Sequence, residues 1–279
     1  MIRFLIIICF LVNIVFPVGI KALAIPQSAL LLAKSGTGIS NSIDINPGLI
    51  HSFSPYVSFS KNQWLGDLDG QKISILLKNN TLLSFESLSV DDIELRDEIA
   101  NDSPIGFFGV YWYAWELNRK LNINYKDISL GYKLKFNFSK LYIETMHGYT
   151  IDIGMMKRVN SKIDLGLVIK NIGNESTNSL RAGTIPIFGI GVGYLALNDK
   201  LLILTDLLSQ GNNSIARFAF ETQLPYINFI LGSSISDKYH DISFGLKLDY
   251  DTWSLAYGNL NHDNTILGNP AIMTITKYF

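Results

Sequence analysis

The residue types that most often hold metals or carry out catalysis are sparse here and poorly grouped. The four histidines are His51, His147, His240 and His262, and none has another His, Asp or Glu at i+2 or i+4 on a common face. Asp241 adjoins His240, but neighbours along a strand point to opposite faces. Asp67-Leu68-Asp69-Gly70 begins like a calcium loop and lacks the later acidic ligand at the required spacing, so it reads as a polar hairpin turn. Asp91, Asp92, Glu94, Asp97, Glu98 and Asp102 form an acidic run that reads as a solvated long loop, with calcium or a basic partner as the alternative. Gly189, Gly191 and Gly193 have part of a dinucleotide-binding spacing, but no helix follows them, and one apolar strand with a close-packed face fits better. No strained Gly-x-Ser-x-Gly elbow occurs. A Ser-His-acid site need not be contiguous, so a hydrolase stays as an alternative to a non-enzyme. No metal, cofactor or catalytic site is assigned.

Cysteine chemistry is limited in the same way. Cys9 is the only thiol, and it lies in the first, strongly apolar segment. That segment has the pattern of a Sec signal peptide over residues 1–24. Arg3 supplies the charge, an apolar stretch begins at Phe4, and Ala22-Leu23-Ala24 forms a small-x-small cleavage site ahead of Ile25. The mature chain is therefore expected to be exported and thiol-free, without disulfides or thiolate catalysis. It keeps 21 basic and 24 acidic residues, which argues against nucleic acid as a partner.

Hydrophobic residues make up 48% of the chain and charged residues 17%, against about 25% charged in an ordinary soluble domain. After the leader, no apolar run reaches the roughly 18 residues of a membrane helix. A membrane-inserted chain of this kind must be a closed barrel, which alone satisfies strand backbone groups in lipid.

The period along the chain is two. Ile128, Leu130, Tyr132, Leu134, Phe136 and Phe138 alternate with Ser129, Gly131, Lys133, Lys135 and Asn137. Ile242, Phe244, Leu246, Leu248 and Tyr250 alternate with Ser243, Gly245, Lys247, Asp249 and Asp251. One face is large and apolar and the other small, Gly-rich and sparsely charged, which suits a wall with lipid outside and a crowded interior better than a soluble sandwich. Turn signals such as Asp69-Gly70, Asn79-Asn80, Asn160-Ser161, Asn198-Asp199 and Asp251-Thr252 divide residues 56–279 into about fourteen strands, an even count of the kind such barrels use. The fold expected is all-β: a transmembrane antiparallel β-barrel in the outer membrane, contacting lipid on its outside. The phase places Lys133, Lys135, Asp152, Asp164, Lys170, Arg217, Glu221, Lys247, Asp249 and Asp251 toward the lumen. They either line a polar path or pair with one another and close the bore.

Residues 25–55 do not alternate. Ser28 to Ala33 has the composition of a short helix, Gly36-Thr37-Gly38 breaks it, and Asn46-Pro47-Gly48 is a turn. Leu30, Leu31, Leu32 and Ile50 would be badly placed in a free tail, so this segment is expected inside the lumen as a plug. At the other end, Ala271, Met273 and Ile275 share a face with the terminal Phe279, interrupted by Lys277. A terminal aromatic on an amphipathic strand resembles the signal read by the barrel-assembly machinery.

The order of several short motifs resembles the PorV/PorQ family. Gly36-Thr37-Gly38 and Asn46-Pro47-Gly48 resemble its opening, with Gly48 where the family has Ala. Gly131 to Lys135, Gly148 to Gly154, Ile163 to Gly173, Trp253 to Tyr257 and Leu267-Gly268 resemble its later strands. The resemblance spans nearly the whole mature chain. It implies a FadL-like barrel with an N-terminal plug and a non-enzymatic role in type IX secretion or surface assembly, with secretion-system proteins as partners. The alternative is a FadL-like transporter for small hydrophobic molecules. The first expects a packed lumen; the second expects an apolar cavity near the plug and a gap or kink in the wall.

Overall fold

The computed structural model describes residues 25–64, 67–96, 103–125, 127–176, 181–237, 239–261 and 268–279. The expected signal peptide lies outside them. From Tyr56 onward the chain is almost entirely strand: β1 (Tyr56–Gln63), β2 (Asp69–Leu77), β3 (Thr81–Leu95), β4 (Gly106–Tyr125), β5 (Ile128–Leu141), β6 (Glu144–Arg158) and β7 (Ile163–Ser176). There follow β8 (Arg181–Gly183), β9 (Ile187–Ala196), β10 (Leu201–Gln210), β11 (Asn213–Thr222), β12 (Ile227–Ser236), β13 (His240–Tyr250), β14 (Trp253–Asn261) and β15 (Ala271–Tyr278). Each strand pairs antiparallel with its neighbour, and β1 pairs with β15 from Tyr56↔Tyr278 to Gln63↔Ala271, so the sheet closes. The three-residue β8 and β9 share one position in the wall, both pairing with β7, which makes a closed fourteen-strand barrel.

Closure decides what each face of a strand touches. On β2 every second residue is buried, with Lys72 and Ser74 inside and Ile73 and Ile75 outside. The outer residues form an exposed apolar belt around the wall that includes Phe59, Ile73, Trp115, Phe136, Phe229, Phe244 and Met273. A belt of this extent belongs against hydrocarbon. On its β3–β5 side, Phe85 stacks on Tyr113 at 6.2 Å and Tyr113 on Phe138 at 6.4 Å, resembling the aromatic girdle of a membrane interface. β3 to β7 run 14 to 20 residues and most later strands 8 to 11, so the wall is taller on one side. The acidic stretch is part of this height: β3 continues to Leu95 through a bulge at Asp91-Asp92, with Asp92 at φ 58°. Alternation is broken there by the bulge, which is why the sequence reads as loop. Residues 97–102 lie outside those described.

The end of the barrel that carries Tyr56 and Phe279 is termed the terminal end, and the opposite one the distal end. The N-terminal segment packs against inner faces of the wall from β2 to β15, with Ser52 and Ser54 exposed where it joins β1. Helix α1 (Ala29–Ala33) buries Ala29, Leu32 and Ala33 against β12 to β15, and a 3₁₀ turn (Pro47–Ser52) packs on β4 to β6. The Gly-rich inner faces make this possible. A Cβ on Gly131 would overlap the Pro47 carbonyl, and one on Gly258 the Ala29 carbonyl. Glycine is needed wherever two backbones approach this closely.

Candidate functional site

The candidate functional region is the lumen, and four arrangements organise it. The first is a buried ionic cluster across β2 to β5. Lys72 Nζ lies 2.9 Å from Asp44, 3.1 Å from Glu86 and 3.9 Å from Glu116. Lys135 pairs with Glu116 and Glu86, and Lys133 donates to the Asp44 carbonyl at 2.7 Å while lying 3.8 Å from Glu116. Three cations meet three carboxylates, so burial leaves no net charge behind. Asp44 belongs to the N-terminal segment. Burial pushes its carboxyl up, but Lys72 and Lys133 outweigh that and hold it below the usual range.

The second arrangement clamps the segment. Asp206 on β10 is fully buried and accepts the Gly38 and Ile39 N–H groups at 2.6 and 3.0 Å. Arg217 on β11 donates to the Gly36 carbonyl at 2.9 Å, and Lys34 pairs with Glu221 at 2.6 Å. Asn46, fully buried, donates to the carbonyls of Ile39 and Met155 at 2.7 and 2.9 Å and accepts from the Gly48 N–H at 2.9 Å. The Asn46-Pro47-Gly48 turn is therefore pinned to β6.

The third is an interruption in the wall. The β7–β9 ladder stops at Lys170↔Ile187, and the β7–β8 ladder resumes only at Asn174↔Gly183. Asn171, at φ 58°, turns its N–H inward to Asp152 Oδ1 at 2.7 Å. Opposite it run Thr184, Ile185 and Pro186. Pro186 has no N–H to give, and Thr184 bridges the gap with its N–H to the Gly173 carbonyl and its hydroxyl to the Asn171 carbonyl.

The fourth is a cavity of about 310 Å³ on the distal side of the segment, next to that interruption. Much of its wall is apolar, including Ile45, Ile187, Leu208, Ile215 and Leu260, and its polar lining includes Lys170, Arg217, Asp241, Gln210 and Ser234. Outside, a groove of about 780 Å³ carries Leu167, Phe188, Ile190 and Leu207, and Leu208 and Ile215 line both spaces.

Most of the lumen-facing set lies where the strand phase places it. Lys133, Lys135, Asp152, Lys170, Arg217 and Glu221 contact the segment, one another or the cavities, and Lys247 pairs with Asp249 at 2.8 Å on the inner face of β13. Asp251 does not: it is exposed at the β13–β14 hairpin corner, at φ 53°, because the turn begins one residue before the alternation ends. Asp164 keeps the inward phase but sits at a strand end, tied to the exposed Arg158 at 3.0 Å. Asp44, Lys72, Glu86, Glu116 and Asp206 were missed. Lys72, Glu86 and Glu116 stand between large apolar neighbours on β2, β3 and β4, so the same alternation contained the signal. Asp206 in Leu-Thr-Asp-Leu-Leu carried it too, whereas nothing local marks Asp44. Among the described residues no group of three His, Cys, Asp or Glu is arranged to hold a metal.

The closed fourteen-strand antiparallel barrel is a fold that solved structures share. No protein-family model matches the chain, and no curated sequence matches it significantly. The chain is similar in fold to the P. putida toluene transporter TodX, at 8% identity and a TM-score of 0.63 over 91% of this chain and 98% of that one. It is also similar to the CymD monoaromatic hydrocarbon channel (10% identity, TM-score 0.60, 91% and 97% covered) and to a Pseudomonas aeruginosa FadL homologue (7%, 0.59, 90% and 98%). At these identities the likeness is one of fold.

Proposed function

We propose that the chain is a non-enzymatic outer-membrane channel that admits small hydrophobic molecules, with residues 25–55 as its plug. The observation that carries this reading is the apolar distal cavity, set against the segment and beside the interruption between β7 and β9. An apolar solute entering from the distal end finds a surface it can share, then an ionic cluster it cannot cross cheaply. The Asp152–Asn171 contact holds β7 bulged at this level, and the apolar groove outside continues the surface of Leu208 and Ile215. The fold shared with hydrocarbon channels supports the reading. In this scheme the protein reaches the outer membrane by Sec-dependent export, the barrel-assembly machinery reads the strand ending at Phe279, and no cofactor takes part. The secretion role implied by the PorV/PorQ resemblance rests on the sequence motifs alone.

The test is uptake of a monoaromatic hydrocarbon by proteoliposomes. Folded protein is expected to give saturable uptake above that of protein-free vesicles. Uptake equal to that of protein-free vesicles, with the barrel shown to be folded, would sink the reading.

A further inference from the structure

The lumen holds a second chamber, and Leu31 is the described residue that lines both it and the first. On the terminal side of the segment lies a cavity of about 230 Å³ whose wall is rich in hydroxyls, among them Ser58, Ser60, Thr274, Thr276 and Tyr278. It differs in chemistry from the distal cavity: its lining suits water and polar solutes. Leu31 lines both chambers, and also the small space over the ionic cluster. The geometry of α1 explains why. Ala29, Leu32 and Ala33 are buried toward β12–β15, which leaves Leu31 on the opposite side of the helix, reaching across the bore to the apolar cluster of Ile39, Ile45, Val168, Leu208 and Ile215. Leu31 is half-buried, with a cavity on either side of it. Leu30, its neighbour, lines only the terminal chamber and packs on the β14–β15 side.

We propose that Leu31 is the partition of a two-chamber path through the lumen, so that its size, and not the segment as a whole, sets what passes from the distal to the terminal end. Leucine is unbranched at Cβ and turns about χ1 and χ2, so it can swing aside without moving the backbone that Asp206 and Asn46 hold. The inference rests on the channel reading for its consequence in transport, and on the geometry alone for the partition.

Two measurements test it, both on the full protein in planar bilayers. Leu31→Ala is expected to raise single-channel conductance several-fold and Leu31→Phe to lower it, while Leu30→Ala, which widens the terminal chamber alone, raises it less. Equal increases from Leu30→Ala and Leu31→Ala would overturn the proposal, since that would mean general loosening of the helix; so would no increase from Leu31→Ala. The second measurement uses thiol labelling, for which the mature chain is expected to offer no native thiol, since Cys9 lies in the leader. A small charged methanethiosulfonate should modify Leu31→Cys from either side of the membrane, Leu260→Cys from the distal side only and Thr276→Cys from the terminal side only. Modification of Leu31→Cys from one side only, or from neither, would overturn it. Labelling does not depend on hydrocarbon uptake, so failure of the transport reading and failure of the partition give different results.

Discussion

Asp206 and Arg217 stand directly opposite each other in the β10–β11 ladder, both facing inward, and both grip the same short loop of the N-terminal segment. Asp206 takes the Gly38 and Ile39 N–H groups and Arg217 takes the Gly36 carbonyl. Gly36 at φ 74° and Gly38 at φ 148° give the loop its shape, which aims these backbone groups at the wall. An opposite-charge cross-strand pair has thus been recruited to hold a third piece of chain.

Asp206→Ala should therefore loosen the segment. Two buried N–H groups lose their acceptor, at about 1–3 kcal/mol for each left unpaired. Hydrogen exchange at Gly38 and Ile39 is expected to accelerate, and conductance to rise, with the barrel still assembled. Unchanged exchange at those two amides would contradict the clamp.

The ionic cluster should behave as a unit. Glu116→Leu leaves Lys135 and Lys133 without their shared carboxylate, and removing one partner of a buried network costs about 3–5 kcal/mol. Adding Lys135→Met should recover a substantial part of that loss. Additive costs in the double variant, measured by urea unfolding in lipid vesicles, would show that the two residues do not interact.

Acid should release part of the segment through Asp44. Its carboxyl lies below the unfolded value of about 3.9, because Lys72 and Lys133 outweigh the effect of burial. Such a group contributes stability that is complete above the unfolded value and is lost as the pH falls through the lower folded value. Exchange protection in residues 29–46 should thus be level from pH 7 to about 5 and fall below about 4. Asp44→Asn should show lower protection at neutral pH and lose that component of the acid step. A wild-type and an Asn variant with the same pH profile would remove Asp44 from the mechanism.

Facing can be read directly on β13. Phe244 and Leu248 are exposed on the outside, Gly245 is buried on the inside, and Lys247 pairs with Asp249 there. Leu246→Arg should cost about 2–4 kcal/mol near the middle of the bilayer, while Lys247→Arg should be nearly silent. Spin labels at 244, 246 and 248 should collide with oxygen dissolved in lipid, and labels at 245 and 247 should not. Labels at the even positions shielded from both lipid and water would place that face in an internal core.

The barrel and the facing of its strands are legible in the sequence, because both are local. A period of two in β5 and β13, set beside turn pairs such as Asn198-Asp199, states where each strand runs and which face is apolar. Closure, which satisfies every strand backbone group in lipid, is the expectation that follows for a chain inserted through its strands. The errors fell where periodicity ends or shifts: at Asp251, where the turn takes over, and at Asp91-Asp92, where a bulge hides a strand.

What the tertiary structure alone decided is which residues meet. Asp44 and Lys72 are joined across 28 positions and Gly38 and Asp206 across 168, and no local pattern encodes a contact between an irregular segment and a distant strand. The inner glycines announced a crowded lumen without naming what crowds it. Only the closed wall shows that Gly131 receives Pro47, that Gly258 receives Ala29, and that Leu31 is left between two chambers, because each of these depends on where separate strands are carried once the sheet meets itself.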